Sequence, residues 1–134
     1  MEGSLHWGWT GKDRVMWLML SDSFLSIVSK DCASDELLVR ARRRGDIEKV
    51  FPEAVVTRTI KADYLYRAVL KRVRIAEALA CEVDNMGYSN FKSSVLNKKL
   101  HNAYLRVWTA MASLQPRKRN GERLLRFGEQ TTWR

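Results

Sequence analysis

Two short apolar runs, residues 16–20 (MWLML) and 24–28 (FLSIV), flank Ser21-Asp22-Ser23 and predict a hairpin of two strands. Residues 30–36 are polar and predict a loop. Leu37, Leu38 and Val39 then begin a third strand, which runs into Arg40, Arg42, Arg43 and Arg44 before Gly45 stops it. Asp46-Ile47-Glu48-Lys49-Val50-Phe51 predicts a short helix closed by Pro52. Asp46 is its expected cap, since the helix dipole favours an acid at the start. Residues 54–59, with Val55, Val56 and two threonines, predict a fourth strand. After a turn at Lys61-Ala62-Asp63, residues 64–70 alternate Tyr64, Tyr66, Ala68 and Leu70 with Leu65, Arg67 and Val69. Apolar groups on both sides predict a strand inside the sheet.

The period then changes from two to about 3.6. Val73, Ala76, Leu79, Ala80, Val83 and Met86 form one helical stripe, with Gly87 as the expected C-cap. Ser89 or Asn90 can cap a helical turn at residues 91–96. Leu100, Tyr104, Val107, Trp108, Met111 and Leu114 form a second stripe, which Pro116 terminates. The order strand, strand, strand, helix, strand, strand, helix, helix predicts the α+β class. The expected architecture is a mainly antiparallel sheet, a hairpin plus a ferredoxin-like β-α-β-β-α unit, with helices packed on one face. Trp108 should then be mostly buried.

Residues 16–116 are read as a single α+β domain. Residues 1–15 are an N-terminal extension without clear period, in which Trp7 and Trp9 alternatively form a short strand. Residues 117–134 are a basic C-terminal tail. Nothing in the 134 residues is apolar for long enough to span a bilayer, which needs about 20 residues. Two cysteines, Cys32 and Cys81, are too few for a disulfide framework. A cytoplasmic protein with free thiols is expected, with no membrane association. The net charge is +9, of which the tail carries six Lys/Arg against two acids. Both body and tail are basic, which favours anionic partners.

Catalytic chemistry finds little support. The only histidines, His6 and His101, lie in no motif, and there is no glycine-rich phosphate loop or nucleophile elbow. Asp35, Glu36 and Lys49 can be combined into a metal-dependent nuclease only by assuming convergence that the sequence does not predict. No catalytic residue, metal or cofactor is therefore assigned.

Guanidinium groups grip phosphate or carboxylate by paired hydrogen bonds. The candidate nucleic-acid-binding residues are Arg40, Arg42, Arg43, Arg44 and Arg67, with Arg117, Lys118 and Arg119 of the tail adding electrostatic affinity. Strand alternation puts Arg40, Arg42 and Arg44 on one face and turns Arg43 away. The competing reading is a solvated basic strand end. Tyr64-Leu65-Tyr66-Arg67 and Tyr88-Ser89-Asn90-Phe91-Lys92 each set rings beside a cation, as single-strand binders do. Tyr88, Asn90, Phe91 and Lys92 are the candidate partner-binding segment, where Phe91 either plugs the core or faces a partner. A protein-only inhibitor or adaptor would use Trp17, Phe91 and Trp108 as anchors. The oligomeric state is left open.

The order of Met16-Trp17, Leu25-Ser26-Ile27-Val28, Leu38-Val39-Arg40-Ala41-Arg42, Gly45-Asp46-Ile47-Glu48, Phe51-Pro52, Asp63-Tyr64, Tyr66-Arg67, Tyr88, Asn90-Phe91-Lys92, Tyr104 and Val107-Trp108 resembles a group of small uncharacterised bacterial and prophage proteins. The resemblance covers about three quarters of the chain and carries no catalytic motif. It implies a mobile-element origin and, by association, a non-enzymatic binder of nucleic acid or a nucleoprotein complex. Modulation of host machinery such as CRISPR defence is the corresponding expectation.

Overall fold

The computed structural model describes residues 15–116. The readings made for residues 1–14 and for the tail, including His6, Trp7, Trp9, Arg117, Lys118 and Arg119, lie outside the described residues. The element order is β1 (Val15–Met19), β2 (Phe24–Val28), β3 (Glu36–Ala41), α1 (Asp46–Val50), β4 (Thr57–Arg58), β5 (Tyr66–Lys71), α2 (Arg72–Asp84), α3 (Phe91–Ser94) and α4 (Lys98–Ala112).

The fold is α+β, and all pairings in its five-stranded sheet, β1-β2-β3-β5-β4, are antiparallel. Because β3 and β4 both oppose β5, they run parallel to each other with β5 between them. That is the split β-α-β arrangement of a ferredoxin-like unit. β2 takes the place beside β3 that the unit's last strand would fill, and β1 extends the sheet beyond it. The fourth strand shortens to two residues because the expected run from Ala54 leaves the ladder. Ala54 donates its N–H to Phe51 O, and Ala54 and Val56 pack onto the core from a loop.

Strand alternation divides the sheet into two faces. Leu25, Ile27, Val39, Ala41 and Ala68 point to one face and meet Ile47 and Phe51 of the α1 region and Ile75 and Ala78 of α2. This is the main core. Here α1 and α2 do pack on the sheet, but α2 does so through Ile75, Ala78 and Leu79, and Val73, Val83 and Met86 of its expected stripe are exposed; α4 does something else. Its Leu100 and Tyr104 pack with Val95, Met19, Phe24 and Phe91. Met19 and Phe24 are a cross-strand pair adjacent to the pair Leu18 and Leu25, which joins the main core. The last helix therefore lies on the opposite face, at the hairpin end of the sheet. The helices are divided between two faces rather than gathered on one.

Two local expectations are also corrected. α2 ends at Asp84 with Asn85 as C-cap, its side-chain amide donating to Cys81 O at 2.8 Å. Gly87 is not needed as a left-handed cap, and Gly45 is the one described glycine with positive φ, at 91°. Trp108 is half-buried, with the Lys92 Nζ 4.9 Å from its ring centroid, so the second stripe does not drive this indole into a core. Asn90, in contrast, caps α3 as expected, accepting from Lys92 N at 3.0 Å.

Stability should follow this division. Phe51→Ala, which empties a site with no exposure, should cost about 3–5 kcal/mol in denaturant unfolding. Trp108→Ala, which loses a partly solvated ring and a cation–π contact, should cost only about 1–2 kcal/mol.

Candidate functional site

The arginine run ends in a corner, and Gly45 makes the corner geometrically feasible. Its positive φ lets the chain reverse from β3 into α1 without a Cβ penalty. This delivers Asp46 not as the helix cap, which is Gly45, but as a buried acceptor only 1% exposed. Asp46 Oδ2 accepts from Phe24 N at 3.1 Å and from Arg43 Nε at 3.1 Å, while Oδ1 accepts from Arg43 Nη2 at 2.9 Å. Arg43 is thus a fork closed on a carboxylate, not a free cation. The same guanidinium and the Lys49 ammonium both donate to Asp22 O, at the tip of the β1–β2 hairpin.

From the other side, the Tyr104 hydroxyl lies 2.8 Å from both Leu20 O and Ser23 O and can donate to either. Burial, and next the negative charge of Asp46, raise the Tyr104 phenol above its ordinary value of 10.0. Ser21 Oγ meets Ser94 Oγ at 2.7 Å, so α3 is tied to the hairpin as well.

The remaining predicted cations separate by role. Register sets Arg40 directly opposite Arg67, so these two do share a patch across β3 and β5. The Arg40 guanidinium carbon lies 4.4 Å, and that of Arg42 4.2 Å, from the centroid of the buried Tyr64 ring. The expected common face of Arg40 and Arg42 is thus realised around one aromatic ring. Arg40 donates to Ser26 Oγ at 2.8 Å, but its Nε is buried and without an acceptor. Arg42 donates to Asp63 O at 2.9 Å and Arg67 pairs with the Asp63 carboxylate at 3.5 Å. Arg44 is exposed, and among the described residues nothing pairs with it. With Arg43 neutralised by Asp46, the corner keeps an excess of positive charge carried by Arg40, Arg42, Arg44 and Arg67.

Between this corner and α4 lies a groove of about 300 Å³. Trp17, Phe24, Tyr64 and Tyr104 supply aromatic walls, and α4 adds Leu100, Ala103 and Val107. Arg42, Arg43 and Asp46 are its charged groups. Trp17 contacts Phe24 edge-on, with centroids 5.6 Å apart, yet remains 61% exposed. The groove was not legible in the sequence, because its walls come from segments more than 80 residues apart. The single signal was the juxtaposition of Tyr64 with arginine.

The Tyr88–Lys92 segment is placed elsewhere, against α4. Phe91 stacks on Tyr104 at 5.7 Å and 27°, and Tyr88 leans on Phe91 at 5.7 Å. Phe91 is therefore the plug between α3 and α4, Lys92 covers Trp108, and Tyr88 is the exposed member. Asp35, Glu36 and Lys49 do not converge. Both acids face Lys71, whereas Lys49 turns to Asp22 and Asp46. Among the described residues no group of three His, Cys, Asp or Glu is placed to hold a metal ion, and no helix is long and apolar enough to cross a membrane. Cys32 and Cys81 are free thiols. Compared with family models, curated proteins and solved structures, the chain matches none.

The hairpin anchor makes two measurable demands. Asp46→Ala leaves Arg43 without its carboxylate and the Phe24 N–H without its side-chain acceptor, and should cost about 2–4 kcal/mol, the lower end reflecting partial exposure of Arg43 and its remaining bond to Asp22 O. Tyr104 holds its proton more tightly folded than unfolded. Its contribution is intact below about pH 10 and is lost as the pH rises toward the raised folded value. Tyr104→Phe should be less stable at neutral pH by about 1 kcal/mol, yet lose less stability than the parent above pH 10 in a pH series of thermal melts.

Proposed function

We propose that the chain is a non-enzymatic binding protein that engages nucleic acid, or a nucleoprotein assembly, through its basic corner. The observation that carries this reading is the cross-strand pair Arg40 and Arg67, joined around Tyr64 by Arg42. Like charges set opposite one another in a sheet destabilise it. Among the described residues Asp63 is the one carboxylate ion-paired within this group, and it is largely exposed. A polyanion would relieve the repulsion and meet an overall charge of +9.

A cytoplasmic site of action suits such a partner. A mobile-element origin, which the sequence resemblance implies, fits a binder that blocks a host nucleoprotein such as a CRISPR complex. A protein-only adaptor is the second reading, and exposed Trp17 at the sheet edge favours it.

The test is a salt series of binding to labelled single- and double-stranded DNA and RNA. The parent should bind at low salt, with log affinity falling linearly against log salt. The double variant Arg42→Gln, Arg44→Gln should weaken binding and flatten the salt slope by about two charges' worth. No binding at low salt would leave the corner as a structural cluster and favour the adaptor.

A further inference from the structure

We infer that the groove between the arginine corner and α4 receives one unstacked base of a single-stranded nucleic acid, an inference that rests on the basic-corner reading and adds its substrate class. Its walls are aromatic and aliphatic, and its charged groups largely cancel. Arg43 and Asp46 close on each other, which leaves Arg42 as the groove cation whose charge no carboxylate among the described residues offsets. The groove thus asks for a flat, weakly polar ring that carries an anion next to it. A nucleotide has that chemistry.

Three features favour a base over other rings. Trp17 offers an indole that is held by Phe24 and still largely exposed, and stacking on such a ring tolerates every base. The volume of about 300 Å³ is at the small end of ligand clefts, enough for a single ring system. Bases inside a duplex are stacked on their neighbours and cannot present a face to the groove, so the site selects single strands. The cations beyond the groove argue for a polyanion. Arg40 and Arg67 lie in register with Ser26 and Trp17, in one row across four strands from the indole to the corner. A phosphate chain can follow that direction past Arg42, whereas an acidic peptide with one aromatic side chain would use only part of it. Arg44, exposed and unpaired among the described residues, follows at the same corner.

The experiment uses the full chain and four labelled probes at low salt. They are a thymidine oligomer of about ten nucleotides, its duplex, the same oligomer built from abasic units, and an acidic peptide carrying one phenylalanine. The single strand should bind about tenfold tighter than the duplex or the abasic strand, as one stacked base supplies. Trp17→Ala should abolish that preference and leave duplex affinity unchanged. Ala103→Phe, an exposed α4 position that fills the groove without removing a contact, should do the same, so a folding defect in one variant does not decide the outcome. Equal affinity for all three nucleic acids, unaltered in both variants, would overturn the groove inference and leave the basic-corner reading standing. Binding of the peptide but of no nucleic acid would overturn both, as would binding of neither.

Discussion

A buried carboxylate with three hydrogen bonds is the constraint on which the molecule turns. Asp46 joins the first turn of α1, the arginine corner and the start of β2, through Arg43 and the Phe24 amide. An ionised carboxylate this deep is tolerated only when its lone pairs are met, and the two-pronged guanidinium meets them geometrically as well as electrically. Once Asp46 is placed, the hairpin tip is placed, because Arg43 and Lys49 reach on to Asp22 O. Tyr104 then finds the tip's carbonyls, and α4 is positioned by that contact. The groove is tied to this chain of contacts, since Phe24, Arg43, Asp46 and Tyr104 both make them and line it.

The sheet explains why a groove arises at this end at all. α1 and α2 cover one face and bury the main core there. α4 takes the other, near Met19 and Phe24. A helix that packs through Leu100 and Tyr104 at one end of a sheet, with Phe91 stacked behind it, leaves a cleft beside the strands it does not cover. That cleft opens beside Tyr64, where the cations gather.

The arginines also show how one residue type divides between structure and surface. Arg43 is neutralised by Asp46, whereas Arg40 is held in place by Ser26 and Tyr64 and keeps its charge. Among the described residues Arg42 donates only to Asp63 O, while its guanidinium carbon lies 4.2 Å over the Tyr64 ring, which helps orient it. The buried Arg40 Nε without an acceptor is the one described buried side-chain polar atom left unmet, and it lies in this patch. Orphan donors of this kind are costly, about 1–3 kcal/mol, and mark places where the isolated fold is not at its electrostatic best.

The chain by itself determined most elements and their class. Alternation around Ala68, the 3.6-residue period of the later helices and the stop at Gly45 are local signals set by backbone sterics, but the period did not identify the side of α2 that is buried, which is Ile75, Ala78 and Leu79. The order of elements suggested a ferredoxin-like unit, and the strand order β1-β2-β3-β5-β4 came only from the structure. What only the tertiary structure decided were the long-range choices. An apolar stripe says that α4 must bury a face but not which face of the sheet will take it. A run of arginines states charge but not which guanidinium meets a carboxylate, since Asp46 becomes an acceptor for Phe24 only when the hairpin folds back 22 residues. The groove unites Trp17 with Val107, from near one end of the described residues to near the other. No periodicity encodes such a meeting, because it depends on side-chain geometry that exists only after packing.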